Sequence, residues 1–334
     1  MRPDNGPADL LLGRLEPRAG DPAGVDLLQS RHLPSFRWRS RRWAVRNGSE
    51  VCVPNVCARS GKDASVTEKP SSITTVGIVQ MFLASAFAVW LVSAPALFAW
   101  PTRPAETAMF IGAGFIGRVY IGYDLFRARH WDMLRWQVVA NYAFLAFVWL
   151  ATLWHMDEMN WKSSFWVAHV WALAYTIEPV VLFLWEPKGL LPRELLPEGW
   201  REGPVRAETK QVAMVGLVAA VTLAGLMMIN PGFMNTRWPW PLDPFNCRVM
   251  SAFLALNAGW CYSIYVADDW AEVKKAAIGI ELFLISQFAV WLVLVRRFDP
   301  NRHNGYVYGA LLAGFALALG YCHVRQTGER ARLA

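Results

Sequence analysis

Long apolar runs, with the polar residues gathered between them, recur along this chain from about Thr75 to Cys322. A membrane-spanning helix needs about 20 apolar residues to cross a hydrocarbon core of about 30 Å. Eight runs approach or reach that length: 75–99, 105–125, 134–154, 163–186, 211–229, 248–267, 276–295 and 305–323. Only helices and closed barrels satisfy the backbone in lipid. The runs are continuous rather than alternating, which selects helices. The pattern predicts an all-α polytopic transmembrane helix bundle of about eight spans. The fifth run is the shortest and closes on Asn230-Pro231-Gly232, a strong helix stop.

Composition agrees with that class. Of 334 residues, 54% are hydrophobic and only 18% charged, against about 25% in soluble domains. The net charge of +7 is distributed as a topology signal rather than as a nucleic-acid surface. Arg127, Arg129, Lys188, Arg193, Arg201, Arg206, Lys210, Lys274, Lys275, Arg325, Arg330 and Arg332 fall in alternate loops and the C-terminal tail. The other loops hold Arg103, Lys162 and Arg237, with Arg296, Arg297 and Arg302 as the exception. The positive-inside rule then puts both termini in the cytoplasm of a cell-membrane protein. Its expected partners are the bilayer and a small-molecule or ion ligand, with no nucleic acid; oligomeric state is left open. Trp100, Trp131, Trp154, Trp161, Trp185, Trp238, Trp240 and Trp270 lie near span ends, where indole prefers the membrane interface.

Residues 1–73 differ in kind, being rich in Arg, Pro, Gly and Ser. They are expected to be a disordered tail, or a stretch upstream of the true start. The basic-aromatic cluster Arg37-Trp38-Arg39-Ser40-Arg41-Arg42-Trp43 suits anionic lipid heads. Residues 74–325 form the transmembrane domain and 326–334 a short cytoplasmic tail. Cys52 and Cys57 lack a second Cys/His pair nearby, so a zinc site is not expected.

Gly112-x-Gly114-x-x-Gly117 matches a dinucleotide fingerprint on paper. It lies inside an apolar run, not at a strand-to-helix turn, and reads instead as close helix packing together with Ala108 and Ala113. Three ionisable residues sit well inside spans: Arg118, Glu178 and Glu281. Such charges face a bundle interior or cavity, and similar depths suggest a shared cluster with Glu178 as the main partner of Arg118. Pro179 follows Glu178 and frees a backbone carbonyl one turn back. On the other side of the membrane, His155, Asp157 and His169 are a candidate divalent-metal set, though no HxxxH or HExxH spacing supports it. No cofactor is otherwise expected. Arg237, Trp238, Trp240, Asp243 and the following Arg248 mark a proline-stiffened interfacial loop, with Asp243 an N-cap for the sixth span.

Trp238-Pro-Trp-x-Leu-x-Pro followed by Arg248, with Thr152-Leu-Trp-His155-x-Asp157, resembles an uncharacterised family of bacterial multi-span membrane proteins over residues 75–325. The resemblance implies a helical membrane fold and no established activity, so it assigns no site residue. The leading expectation is a transporter-like or sensor protein with a small cavity between helices. The alternatives are a membrane enzyme using the His155/Asp157/His169 group and a structural subunit of a membrane complex. No nucleotide loop or catalytic-triad order favours the enzyme.

Overall fold

The computed structural model describes residues 71–128, 130, 133–162, 166–185, 198–298 and 304–333. The tail cluster at Arg37–Trp43 and Cys52 and Cys57 lie outside them. The chain is an all-α polytopic bundle whose described residues belong to one compact unit. Its helices are α1 (Ser71–Ser93), α2 (Ala105–Arg127), α3 (Arg135–Trp154), α4 (Val167–Trp185), α5 (Ala207–Ile229), α6 (Pro231–Arg237), α7 (Pro244–Val266), α8 (Trp270–Leu294) and α9 (Asn304–Leu333).

Among the described residues, seven helices are long and apolar enough to cross a membrane: all except α2 and the short α6. The sequence had suggested eight. At 23 residues α2 has the length, but its glycines, Arg118 and Asp124 dilute its apolar character. Burial explains how it tolerates them. Phe110, Ile111, Phe115, Ile121 and Leu125 are enclosed together with Arg118 and Asp124, because α1, α7 and α8 pack around α2. α2 still exposes Ile116, Tyr123 and Phe126, while α1, α4, α5 and α9 expose more outward-facing apolar residues such as Phe82, Leu173, Val215 and Leu317.

The small residues of α2 serve several neighbours rather than one. Gly112 faces Ala88 and Val92 of α1, Gly114 faces Phe253 of α7, and Gly117 faces Trp260 of α7. Successive positions point around a helix, so a run of small residues opens more than one face. The backbones of α1 and α2 approach closely at Gly77 and Gly122: a Cβ on Gly77 would stand 2.6 Å from the Gly122 carbonyl oxygen. Side chains then latch onto α2 carbonyls. Gln80 Nε2 donates to Arg118 O at 3.2 Å, Ser286 Oγ to Ala113 O at 3.2 Å and Gln287 Nε2 to Phe110 O at 3.1 Å.

The connections gather at two ends. At one, Asn160 Nδ2 donates to Phe98 O, Trp100 Nε1 to Asn246 Oδ1 and Asn304 Nδ2 to Arg237 O. At the other, Arg206 N donates to Gln326 Oε1, Val205 N to Asp268 O, and Lys275 pairs with Asp124 at 3.3 Å. Of the Lys and Arg with described side chains, the second end carries Arg127, Arg135, Arg201, Arg206, Lys210, Lys274, Lys275 and Arg325 and the first Arg103, Lys162, Arg237, Arg248, Arg296 and Arg297; by that count, eight against six, the second is the basic end.

Four tryptophans expected at the membrane interface are core residues. Trp100, Trp238, Trp240 and Trp270 are all buried. Trp240 donates to Thr107 Oγ1 at 2.8 Å and stacks on Phe298. Trp154, by contrast, is exposed. The loop before α7 is partly helical, since Asn230 both ends α5 and caps α6, accepting from Phe233 N at 3.1 Å. Asp243 caps α7 as expected, accepting from Asn246 N at 2.8 Å. The fifth span begins four residues before its expected start and has 23 residues, so it is not the shortest.

Candidate functional site

Glu178 lies on α4 seven residues before Trp185, about 10 Å below the basic end of that helix. Arg118 of α2 reaches it. Arg118 Nη2 contacts Glu178 Oε2 at 2.6 Å and Oε1 at 2.8 Å. Asn141 of α3 donates to Glu178 Oε1 at 2.9 Å. The Arg118 guanidinium lies 4.6 Å from the Phe144 ring centroid, a cation–π contact. Three helices thus meet at one ion pair.

The pairing leaves donors over. A fork-to-fork arginine–carboxylate pair uses two guanidinium nitrogens, but here one nitrogen bridges both oxygens. Arg118 Nε and Nη1 are buried without a hydrogen-bond partner among the described residues, as are Gln80 Oε1 and Asn141 Oδ1. Buried polar groups are normally satisfied, so such a cluster of leftovers marks a place where a ligand or water belongs.

Two adjoining cavities reach this node. A groove of about 490 Å³ runs between α1 and α4, walled by Val76, Val79, Leu83, Leu173, Ile177 and Val181, with Gln80 and Glu178 at its polar floor. Its volume is in the range of small-molecule sites, about 300–1,000 Å³. Behind it a chamber of about 20 Å³ is lined by Gln80, Phe87, Arg118, Tyr175 and Glu178. The two share Gln80, Leu83, Ala174 and Glu178. The carbonyl of Tyr175, freed by Pro179 within α4, belongs to the turn beside this chamber.

Glu281 is not part of the node. It accepts from His323 Nδ1 of α9 at 2.9 Å, and Trp270 packs on the His323 ring. The expected cluster of Arg118, Glu178 and Glu281 is therefore one pair plus a separate pair. The α8 helix starts at Trp270 rather than at 276, which moves Glu281 deeper than its expected place.

At the opposite end, His155 holds a saturated chain. Its Nδ1 lies 2.6 Å from Glu158 Oε1 and its Nε2 2.6 Å from Arg248 Nη1. Arginine has only donors, so Nε2 accepts and the ring proton sits on Nδ1, donated to Glu158. Arg248 also donates from Nε to Met228 O at 3.0 Å and covers the Trp154 ring. His169 is exposed between Trp161 and Trp166, and Asp157 is exposed on a 3-10 turn. Among the described residues no group of three or more His, Cys, Asp or Glu is arranged to hold a metal ion. The candidate set of His155, Asp157 and His169 forms no such group, and both nitrogens of His155 are taken by Glu158 and Arg248.

A third polar chain was not anticipated. Gln137 Nε2 donates to Asp124 Oδ2 at 3.0 Å while its Oε1 accepts from Trp260 Nε1 at 2.7 Å, and Lys275 completes it at Asp124. Asn141, Gln80 and His323 were likewise passed over. The available signal was an uncharged polar residue within an apolar run. No family model, no curated protein and no solved structure matches this chain.

Proposed function

We propose that this multi-pass membrane protein is a transporter-like or sensor protein rather than an enzyme, and that it works through the Arg118–Glu178 node and the groove between α1 and α4. One observation carries the reading: Glu178 of a buried ion pair lines an apolar groove of ligand size, and its partner Arg118 lines a small chamber adjoining that groove. A purely structural ion pair gains by satisfying its own donors; this one leaves two Arg118 nitrogens without a partner among the described residues. The groove lies between the outward-facing sides of α1 and α4, so its ligand arrives from the bilayer. We further propose that the basic end faces the cytoplasm, which puts both termini there in a cell-membrane protein.

Spin labels on Val79→Cys and Leu173→Cys test the working site. A carrier or sensor should show two α1–α4 distances in vesicles, with their populations shifting when membrane lipid extract is added. A single distance that never shifts would leave only a structural subunit. Orientation is checked by an impermeant thiol reagent on cysteines placed in the 187–210 loop and at the C-terminus. Labelling of either in intact cells reverses it.

A further inference from the structure

The Glu158–His155–Arg248 chain is complete only for one protonation state of its histidine. Arg248 Nη1 stands 2.6 Å from His155 Nε2, and an arginine nitrogen donates protons but accepts none. The guanidinium stays charged throughout the ordinary pH range. Nε2 is therefore bare and the ring neutral, with its proton on Nδ1, 2.6 Å from Glu158 Oε1. A second proton, on Nε2, would set two donors and two positive charges head to head. The protonated ring and the Arg248 contact exclude each other. Histidine is the side chain whose ordinary charge change falls between about pH 5 and 8.

The surroundings decide which partner lets go. His155 ends α3 and opens the 3-10 turn Met156–Glu158, and Glu158 N donates to its carbonyl at 3.0 Å. Ring and carboxylate thus share one tight turn. Phe245 of α7 stacks on the ring, 13° off parallel with centroids 4.8 Å apart. Glu158 from its own turn and Arg248 from α7 are the charged groups bonded to the ring. Nearby, Arg103, Asp157 and Lys162 are exposed, and Asp243 at the head of α7 is taken by Asn246. His169 of α4 lies between Trp161 and Trp166. A charged ring gains at the Glu158 carboxylate. Arg248 keeps the Met228 carbonyl of α5 at 3.0 Å and the Trp154 ring. The imidazolium stays and the arginine nitrogen leaves.

We propose that His155 and Arg248 form a proton-operated latch that ties the end of α3 to the α5–α7 pair, closed while His155 is neutral and released when it takes a second proton. On the orientation proposed above, the latch responds to acidity outside the cell; its chemistry is the same in either orientation. It goes beyond the node and the groove, and its test involves neither.

The test uses the full chain in detergent micelles at about pH 8 and about pH 5, the two sides of the histidine range. Histidine nitrogens are labelled with nitrogen-15 and read by NMR. The His155 signals are identified by their broadening beside a spin label on Leu153→Cys. At the higher pH they should show a proton on Nδ1 and a bare Nε2, and at the lower pH a proton on each. Spin labels on Leu153→Cys and Ile229→Cys, both exposed at this end, then read the latch across α3 and α5. Their distance distribution should shift and broaden at the lower pH and recover on return. Arg248→Gln carries an amide that donates to a bare nitrogen and, turned over, accepts from a protonated one. Its distribution should lose the response to pH, as should that of His155→Gln. A proton on Nε2 at the higher pH, or a bare Nε2 at the lower, overturns the proposal. So does a doubly protonated His155 with an unchanged distribution, or a response that survives His155→Gln. The first three outcomes are read with His155 and Arg248 both in place.

Discussion

The Arg118–Glu178 node and the Glu158–His155–Arg248 chain are both built from charged groups within one helical bundle, and they differ in what they leave over. In the second, both His155 nitrogens are used, and Arg248 is spread over His155, the Met228 carbonyl and the Trp154 ring. In the first, one guanidinium nitrogen makes the ion pair while Nε and Nη1 have no partner among the described residues, and the Arg118 side chain lines a small chamber. A saturated polar chain holds its elements in place and offers nothing to a ligand. A half-spent one holds helices together and still has something to give. Sequence alone offers the histidine end as the alternative to the buried charges, for its metal-ligating residue types. The geometry separates the two by what each leaves unspent.

The largest effect should come from breaking the node. Removing one partner of a buried pair costs about 3–5 kcal/mol, large against a total stability of about 5–15 kcal/mol. Arg118→Ala should therefore lower the thermal unfolding temperature in detergent sharply, and the double change with Glu178→Gln should recover part of the loss. Combined with Glu281→Gln, its loss should be additive. Additivity with Glu178→Gln instead would mean that the pair does not act as one unit.

A smaller effect is expected from the saturated chain. Arg248→Ala strands His155 Nε2 and the Met228 carbonyl, a penalty of about 1–3 kcal/mol. Unfolding should shift accordingly while the α1–α4 distances between spin labels on Val79→Cys and Leu173→Cys stay as they were. A changed distribution would show that the two polar centres are coupled and collapse the contrast between them.

The smallest effect sharpens the boundary of the node. Glu281→Gln keeps a hydrogen-bonding group opposite His323, and interhelical hydrogen bonds in membrane bundles average about 0.6 kcal/mol. Stability should change by less than about 1 kcal/mol and the α1–α4 spin-label distances not at all. A loss as large as that of Arg118→Ala would place Glu281 in the same energetic unit after all.

Several features were legible from the chain alone because they depend on local chemistry. The apolar runs determined the long helices, since the backbone in lipid has few alternatives. Asp243 before Pro244 determined the cap of α7, and similar depth pointed from Arg118 to Glu178, though by the same measure also to Glu281. Other features depend on which way a residue faces, which a run apolar on all sides does not state. Depth therefore did not separate Glu281, whose helix begins earlier and turns it towards His323. Position near a span end did not distinguish the exposed Trp154 from Trp238 and Trp240, which are folded inward over Phe110, Thr107 and Phe298. Gln80 and Asn141 became partners of the node only when α1 and α3 settled around α2, by an approach that Gly77 and Gly122 permit on the α1 side. The sequence by itself determined a set of long apolar helices suited to a membrane, and it pointed from Arg118 to Glu178 without separating Glu281. Only the tertiary structure decided which donors remain unspent and that a groove opens beside them, because both follow from how separate helices pack.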